Sequence, residues 1–304
     1  MLTAGLSTAA FGADDVVICI VLTALNAGYY VLARSRITDL WRDIRPLMVH
    51  PHAETLQPED IKCMKLFIAI DDTDNTTSIG TGRLSRMLAE ELTRQGLVHK
   101  SRVTRHQLLV HPEIPYTSHN SSACIDAVMH ACSVHEVSKI ATSFLEDHFN
   151  EGANPGMCIA EQNAVPEELP PFGYRAQREV IPLDEAKSLS ARLGIFTWWR
   201  GETGQGCIGA MSAVGLRSTW NDGRYIELEG IRDVGGILSV SELLERTAIE
   251  RVVTLAGENL QPDAMIDTQD WVRPVLQDGY ITLEVIPVNG HWRAPHKKKA
   301  KQKS

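Results

Sequence analysis

An acidic loop between a predicted strand and a predicted helix constrains this chain more than any other feature. The apolar segment from Met64 to Ile70 predicts a buried strand. Three carboxylates follow within four residues, at Asp71, Asp72 and Asp74. From Arg83 to Thr93 the apolar residues recur at helical spacing. The order of strand, polar loop and helix places these carboxylates where α/β folds gather ligands.

The density of carboxylates in this loop points to a bound cation. Neighbouring negative charges repel one another unless a cation or a shell of hydrogen-bond donors offsets them, and Mg²⁺ commonly binds one or two carboxylates together with nucleotide phosphates. Thr81 and Gly82 stand at the predicted helix start, where free backbone N–H groups favour a phosphate. The alternative is a solvated acidic turn in which Asn75 or Thr76 caps the helix. The residues alone leave both interpretations open.

Three further segments combine turn residues with small or polar side chains. The segment 114–123 is a polar stretch that follows two prolines. Asn154, Pro155 and Gly156 form a turn signal ahead of a short apolar strand. The segment 204–215 is a glycine loop that runs into a helix of small residues, and such a loop can hold phosphates.

Together with Ile70–Asp74, these segments resemble, in the same order, the motifs of the archaeal-type tRNA-isoleucine 2-agmatinylcytidine synthetase family. The resemblance covers residues 64 to 290 and implies a Mg²⁺- and ATP-dependent phosphoryl-transfer enzyme. Such enzymes phosphorylate the ring carbonyl oxygen of a wobble cytidine, and the amine of agmatine then displaces the phosphate. The resemblance also implies an α/β (α+β) fold, with a kinase-like domain at 64–172 and a ferredoxin-like domain at 173–290.

The resemblance assigns roles to individual residues. Asp71, Asp72 and Asp74 match carboxylates that bind the metal and the nucleotide, and Thr81 matches a threonine that becomes phosphorylated. These four are the predicted catalytic residues. The remaining predicted ATP-binding residues are Thr73, Gly82, Ser118, His119, Asn154, Pro155, Gly156, Gly204 and Gly206.

The chain departs from the family pattern at cationic positions. Thr117 and His119 stand where the family has lysine and arginine, and Gln205 replaces another arginine. The last twelve residues, 293–304, carry six basic groups and no acid, which leaves a net charge of −14 on the rest. That balance argues against nonspecific nucleic-acid binding by the whole surface. No counterpart of the family's OB-type domain and zinc ribbon is recognised.

The expected partners are tRNA and either agmatine or another amine, with a separate RNA-binding subunit as a source of the missing contacts. Two other functions stay open from the sequence. One is an ATP-dependent kinase or ligase that acts on a small molecule. The other is a nucleotide-binding regulatory or scaffold subunit without catalysis. Turnover of ATP would separate the enzymes from the scaffold.

The segment 1–63, an N-terminal extension, admits three interpretations. Residues 16–33 carry no charge and are just long enough to span a bilayer, although Asn26 near the centre disfavours a membrane anchor. The preferred interpretation is that translation starts at Met64, and an ordinary extension is the third. None of the six cysteines forms a C-x-x-C pair, which favours a reducing cytoplasm. Residues 291–304 are predicted to form a basic tail.

Overall fold

The computed structural model describes residues 64–117, 119–130 and 133–295, together with the backbone of 3–11, 15–24 and 27–32. The chain divides into two compact units, residues 1–62 and 63–304. Ser118 and the lysine-rich end of the predicted basic tail lie outside the described residues. The translation start at Met64 stays a prediction.

The first unit contains a three-stranded antiparallel sheet. Its strands are β1 (Thr3–Phe11), β2 (Asp15–Ala24) and β3 (Ala27–Leu32). The described part of 16–33 is therefore strand, which its β-branched and aromatic residues favour, and the membrane anchor stays a prediction. No helix among the described residues is long and apolar enough to cross a membrane.

The second unit is built on an antiparallel sheet with helices on both faces. Its central strands are β4 (Lys65–Asp71), β5 (Val98–Gln107), β6 (Ser121–Met129), β7 (Gly156–Glu161) and β8 (Phe196–Trp199). They lie side by side in the order β5–β6–β4–β7–β8. The helices on one face are α1 (Thr81–Arg94) and α2 (Val134–His148). Those on the other are α3 (Leu169–Ala176), α4 (Leu183–Leu193) and α5 (Gly206–Ser218).

Strand β4 lies at the centre of this unit because its side chains are apolar on both faces. Leu66, Ile68 and Ile70 pack in the core that includes α1 and α2. Phe67 and Ala69 pack in the core that includes α3 and α5. A strand buried on both sides reads as a continuous apolar run, as the sequence of β4 does.

The remaining elements extend the sheet beyond β5 and enclose another core. They are β9 (Arg224–Glu227), β10 (Ile237–Ser239), α6 (Val240–Arg246), β11 (Arg251–Thr254), β12 (Met265–Asp267), β13 (Val275–Gln277), β14 (Tyr280–Val288) and β15 (His291–Arg293). Strand β9 pairs with β5 on one side and β13 on the other, so the sheet continues from one core to the other.

The α+β fold class predicted from the sequence is confirmed. The β-branched residues Val180 and Ile181 predict a strand at 179–181. That prediction is wrong, because the N–H groups of Arg178 and Glu179 bond back to the carbonyl of Arg175 and continue the turn at the end of α3. The boundary between 172 and 173 stays a prediction. Strand β8 and helix α5, which lie after it in the chain, pack on the same sheet as β4.

Candidate functional site

Antiparallel pairing brings the predicted motifs to one end of the central sheet. Asp71, the last residue of β4, lies opposite Gly156, the first residue of β7. On the other side, Ile70 lies opposite Ala123 near the start of β6. The end of one strand thus meets the beginnings of both neighbours. The acidic loop, the Asn-Pro-Gly turn and the polar segment before β6 therefore share one edge.

The first turn of α5 lies directly on this edge because its glycines carry no side chain. A Cβ atom on Gly156 would lie 2.1 Å from the backbone nitrogen of Cys207, and one on Gly206 would lie 2.5 Å from the nitrogen of Gly156. A Cβ on Gly209 would lie 1.7 Å from Oδ2 of Asp71. Glycine is thus required for the backbone and this carboxylate to approach so closely.

The Asp71 carboxyl group has an unusual protonation equilibrium. Burial raises its pKa to about 8, and the negative charge of Asp72 adds to the shift. The backbone N–H of Asp72 donates to Asp71 Oδ1 at 2.8 Å, and Arg105 acts in the opposite direction without cancelling the effect. The hydrogen-bond donors and positive charges of the protein therefore do not fully stabilise the ionised Asp71 carboxylate, as expected where a cation completes the site.

Asp72 is held in a left-handed backbone conformation with φ of 51°. Its Oδ2 accepts a long hydrogen bond from Gln205 Nε2 at 3.4 Å, and the backbone N–H of Asn154 also acts on it. Burial nevertheless keeps the pKa of Asp72 above its ordinary value. A non-glycine residue in this conformation carries local strain of the kind that collects at functional sites.

A chain of hydroxyl groups surrounds the third carboxylate. The hydroxyl of Thr81, the first residue of α1, donates to Asp74 Oδ1 at 3.0 Å. Thr117 donates to Asp74 Oδ2 at 2.9 Å, and Thr73 donates to the Thr81 oxygen at 3.1 Å. Helix α1 begins at Thr81 because the extended backbone of Gly80 precedes it and Leu84 starts its apolar face. The Thr81 hydroxyl hydrogen is thereby aimed at a carboxylate oxygen.

These groups line a cavity of about 140 Å³. Among the predicted residues, those that line it are Asp71, Asp72, Asp74, Thr81, His119 and Gly206. Residues that were not predicted to belong to the site also line it, and they include Glu113 together with Tyr116, Ser121, Ile208 and Gly209 from the motif segments. Tyr116 is 45% exposed, so an aromatic ring stands at the mouth. Tyr116 lies in the motif segment 114–123, which was the sequence signal, but it was not predicted as a site residue.

The other predicted residues lie at different distances from the cavity. Asn154, Pro155 and Gly156 adjoin it through contacts to Asp72 and to the start of α5. A Cβ on Gly82 would point at Ile226, and one on Gly204 would meet Trp199, so neither glycine forms the cavity wall. Ser118 lies outside the described residues.

Two observations test whether the acidic residues fit Mg²⁺. Within the described part of the chain, no three His, Cys, Asp or Glu side chains converge into a ready-made metal site. Mg²⁺ is usually held by only one or two carboxylates, with water and phosphate oxygens as its other ligands. Asp71 and Asp72, both with a raised pKa, are hard oxygen donors that lack a full set of partners, so the residues fit a magnesium–nucleotide complex.

The pKa of Asp71 predicts a pH dependence of stability. The folded-state value of about 8 exceeds the ordinary value of 3.8, so between these values the folded chain binds more protons than the unfolded chain. Stability contributed by the protonated carboxyl is then present below pH 4 and lost as the pH rises to about 8. In a metal-free buffer, we expect the thermal midpoint of the wild type to fall more steeply over this window than that of Asp71→Asn. Equal slopes would contradict the assignment.

No model of a known protein family matches the chain. The chain is similar to the isoleucine-tRNA 2-agmatinylcytidine synthetase TiaS of Pyrococcus horikoshii, with 30% identity over 157 residues that cover 50% of this chain and 36% of the relative. The protein of the same name from Archaeoglobus fulgidus is 28% identical over 158 residues, with the same coverage of 50% and 36%. The resemblance predicted from the motifs is confirmed over half of the chain.

Two solved structures are also similar to the chain. One is described as a complex of TiaS with an isoleucine tRNA and ATP, with 28% identity, a TM-score of 0.43 and coverage of 50% of this chain and 36% of that one. The other is described as a complex of TiaS with the same tRNA, AMPCPP and agmatine, with 26% identity, a TM-score of 0.42 and the same coverage. The chain spans about a third of the length of the relatives that it matches.

Proposed function

We propose that this protein is an ATP- and Mg²⁺-dependent phosphoryl-transfer enzyme that modifies the wobble cytidine of a tRNA with agmatine as the incoming amine. The observation that carries the proposal is the Thr81 hydroxyl, which donates to Asp74 at 3.0 Å on the wall of a cavity that Asp71 and Asp72 also line. Curated relatives with sequence similarity over half the chain are agmatinylcytidine synthetases, which supports the choice of substrates.

The cavity provides the groups that a phosphoryl transfer to Thr81 needs. The Thr81 oxygen forms a bond to the γ-phosphorus of ATP, the bond from that phosphorus to the β,γ-bridging oxygen breaks, and ADP leaves. The hydroxyl proton passes to Asp74, which already accepts its hydrogen bond. Thr73 donates to the same oxygen and occupies one of its lone pairs, which leaves the other for attack on the phosphorus.

Asp71 and Asp72 would hold the magnesium ion, which supplies charge neutralisation for the phosphates when bound. The first turn of α5 packs against Asp71 and fixes the position of this carboxylate at the same edge. The exposed Tyr116 at the mouth offers an aromatic face for a base that is turned out of its stack. For the nucleobase the proposed reaction is phosphorylation of the ring carbonyl oxygen, followed by displacement of phosphate by agmatine.

The first test is to locate the phosphoryl group. Purified protein is incubated with labelled ATP and Mg²⁺, with and without tRNA and agmatine, and peptides are analysed by mass spectrometry. We expect label at Thr81 in the wild type and none there in Thr81→Ala. Thr76→Ala is the matched control, because Thr76 is exposed in the same loop and should leave labelling intact.

The outcomes separate the candidate functions. Labelling at Thr81 with ATP consumption that rises with tRNA supports the proposal. If ATP consumption does not depend on tRNA but rises when a small alcohol or amine is added, the result would favour a small-molecule kinase or ligase. Binding of ATP without any turnover would favour a nucleotide-binding scaffold. Protein that neither binds nor hydrolyses ATP contradicts all three.

A further inference from the structure

An arginine cluster lies beside the candidate site on the neighbouring strands. It consists of Arg105 on β5, Arg224 on β9 and Arg273 just before β13. These three strands are adjacent in the sheet, so residues far apart in the chain form one row. Adjacent strands lie about 4.8 Å apart, which keeps the backbones that carry the three guanidinium groups close together.

The arginines face one another without intervening carboxylates. Arg105 and Arg224 are direct cross-strand partners in the register of β5 and β9. Like charges directly opposite each other destabilise a sheet. Within the described residues, neither Arg224 nor Arg273 forms an ion pair with an acid, and the hydrogen bond from Arg105 goes to the hydroxyl of Ser121 at 2.7 Å. The repulsion is therefore left for an external anion to relieve.

The pKa values of these arginines reflect their mutual repulsion. Burial lowers the pKa of Arg105, and the charges of Arg224 and Arg273 lower it further. Burial likewise lowers the pKa of Arg273, with added repulsion from Arg224 and Arg232. These directions agree with the register, which sets Arg105 opposite Arg224.

A tryptophan holds one end of the cluster in place. The guanidinium of Arg273 lies 4.3 Å from the centre of the Trp271 ring, and that of Arg232 lies 4.5 Å from it. Trp271 itself packs against the third core. Arg232 also pairs with Glu227 at 3.1 Å, which offsets part of its charge. Because cations already stack on Trp271, this ring positions arginines and does not serve as a platform for a base.

The cluster is joined to the candidate site. Arg105 interacts electrostatically with both Asp71 and Asp74. Its hydrogen-bond partner Ser121 lines the cavity. From Arg105 the row leads outward to Arg224 and Arg273, which are exposed. An anion bound along the row would therefore start at the cavity wall and end in solvent.

We propose that Arg105, Arg224 and Arg273 bind successive phosphates of the RNA strand whose base enters the cavity, an inference that rests on the proposed function. Guanidinium groups bind phosphate oxygens through paired hydrogen bonds, which suits a phosphodiester backbone. An open row with two exposed members fits an extended strand better than an enclosed nucleotide. It also provides a local cationic path on a chain whose residues before the basic tail carry a net charge of −14.

The test measures RNA binding as a function of salt. A labelled single-stranded oligouridylate and an unmodified tRNA-isoleucine transcript are titrated with wild type and with Arg224→Gln/Arg273→Gln. We expect the slope of log affinity against log salt to fall in magnitude by about 1.4 for the double variant, since each phosphate contact to a single strand contributes about 0.7. At fixed salt we expect an affinity loss of about tenfold per arginine, which is about 1.4 kcal/mol, because each variant loses a charge-assisted hydrogen bond to phosphate.

Arg192→Gln is the matched control. Arg192 is exposed on α4 and pairs with Glu168, and loss of its charge should leave both affinity and slope at wild-type values. The thermal midpoint is a second readout. Removing arginines that repel Arg105 should maintain or raise it, whereas a structural role for Arg224 and Arg273 would lower it.

Several results would overturn this inference. They are no RNA binding by the wild type, equal RNA affinity and salt slope in wild type and double variant, or a loss confined to binding of labelled ATP with RNA binding retained. The proposed function fails on a different observation, namely no phosphate on Thr81. RNA binding that depends on the arginines together with an unlabelled Thr81 would therefore reject the enzyme and keep the phosphate-binding row.

Discussion

Replacement of Gly209 by alanine is expected to abolish most of the proposed phosphoryl transfer while leaving the chain folded. The new Cβ would lie 1.7 Å from Oδ2 and 2.6 Å from Cγ of Asp71, so the carboxylate must swing away. A side chain can rotate at less cost than a backbone can shift, which is why the fold should survive. A displacement of about 1 Å in a reacting site can cost about 10²-fold in rate. We expect a loss of at least that size in the labelling of Thr81.

The control for this variant is Gly235→Ala. The nearest atom to a Cβ at that position is a carbonyl oxygen at 3.7 Å, an ordinary contact, so labelling and thermal midpoint should stay at wild-type values. The pH dependence of stability gives an independent check. If Asp71 has left its buried place in Gly209→Ala, the steep fall of the midpoint towards pH 8 should disappear with the activity. Wild-type labelling in Gly209→Ala would show that Asp71 has no part in the transfer.

Among the variants proposed for this protein, Arg217→Met is expected to cause the largest loss in the free energy of unfolding. The Arg217 side chain on α5 is fully buried and is hydrogen-bonded to Asp126 on β6, whose side chain is 12% exposed. Its guanidinium also lies 4.2 Å from the ring centre of Trp220 and 5.1 Å from that of Phe67. Methionine would fill much of the space but leave Asp126 without its cation. Breaking a buried ion pair in this way costs about 3–5 kcal/mol in the free energy of unfolding, which denaturant titration would measure.

A second variant separates the charge from the packing. Arg217→Met/Asp126→Leu removes both charges, and we expect it to regain most of the stability, because two apolar groups can replace a buried pair at little cost. Two nitrogens of Arg217, Nε and Nη1, are buried with no partner among the described residues, so the pair is not ideally satisfied. The exposed pair of Arg192 and Glu168 is the control, and Arg192→Ala should cost less than about 1 kcal/mol. A loss of that small size in Arg217→Met would contradict the argument.

Local patterns predicted the elements nearest the acidic loop. The apolar run of β4 and the helical spacing of α1 were both recognised, and α1 begins at Thr81, where a helix start was expected. Helix α4 spans the predicted 183–193. These predictions hold because burial leaves a pattern within each segment. A strand buried on both faces is a continuous apolar run, and a helix buried on one face has apolar residues at helical spacing.

Other features could not be predicted from local patterns. Strand β5 has the sequence VHKSRVTRHQ, in which charged residues interrupt the apolar alternation. Its arginines are explained by what they meet on β6 and β9, which is information that the segment does not contain. The strand expected at 179–181 failed for a related reason, since backbone hydrogen bonds to Arg175 overrode the β-branched residues Val180 and Ile181.

The sequence by itself determined which chemistry is present: hard carboxylate ligands and a hydroxyl at a helix start, in an order that resembles a known family. Tertiary structure alone decided which of these groups meet. The antiparallel register set Asp71 beside Gly156, close approach at Gly209 buried its carboxylate and raised its pKa to about 8, and β9 placed Arg224 opposite Arg105. Ionisation and repulsion depend on distance and burial, and for residues far apart in the chain only the folded sheet sets either of them.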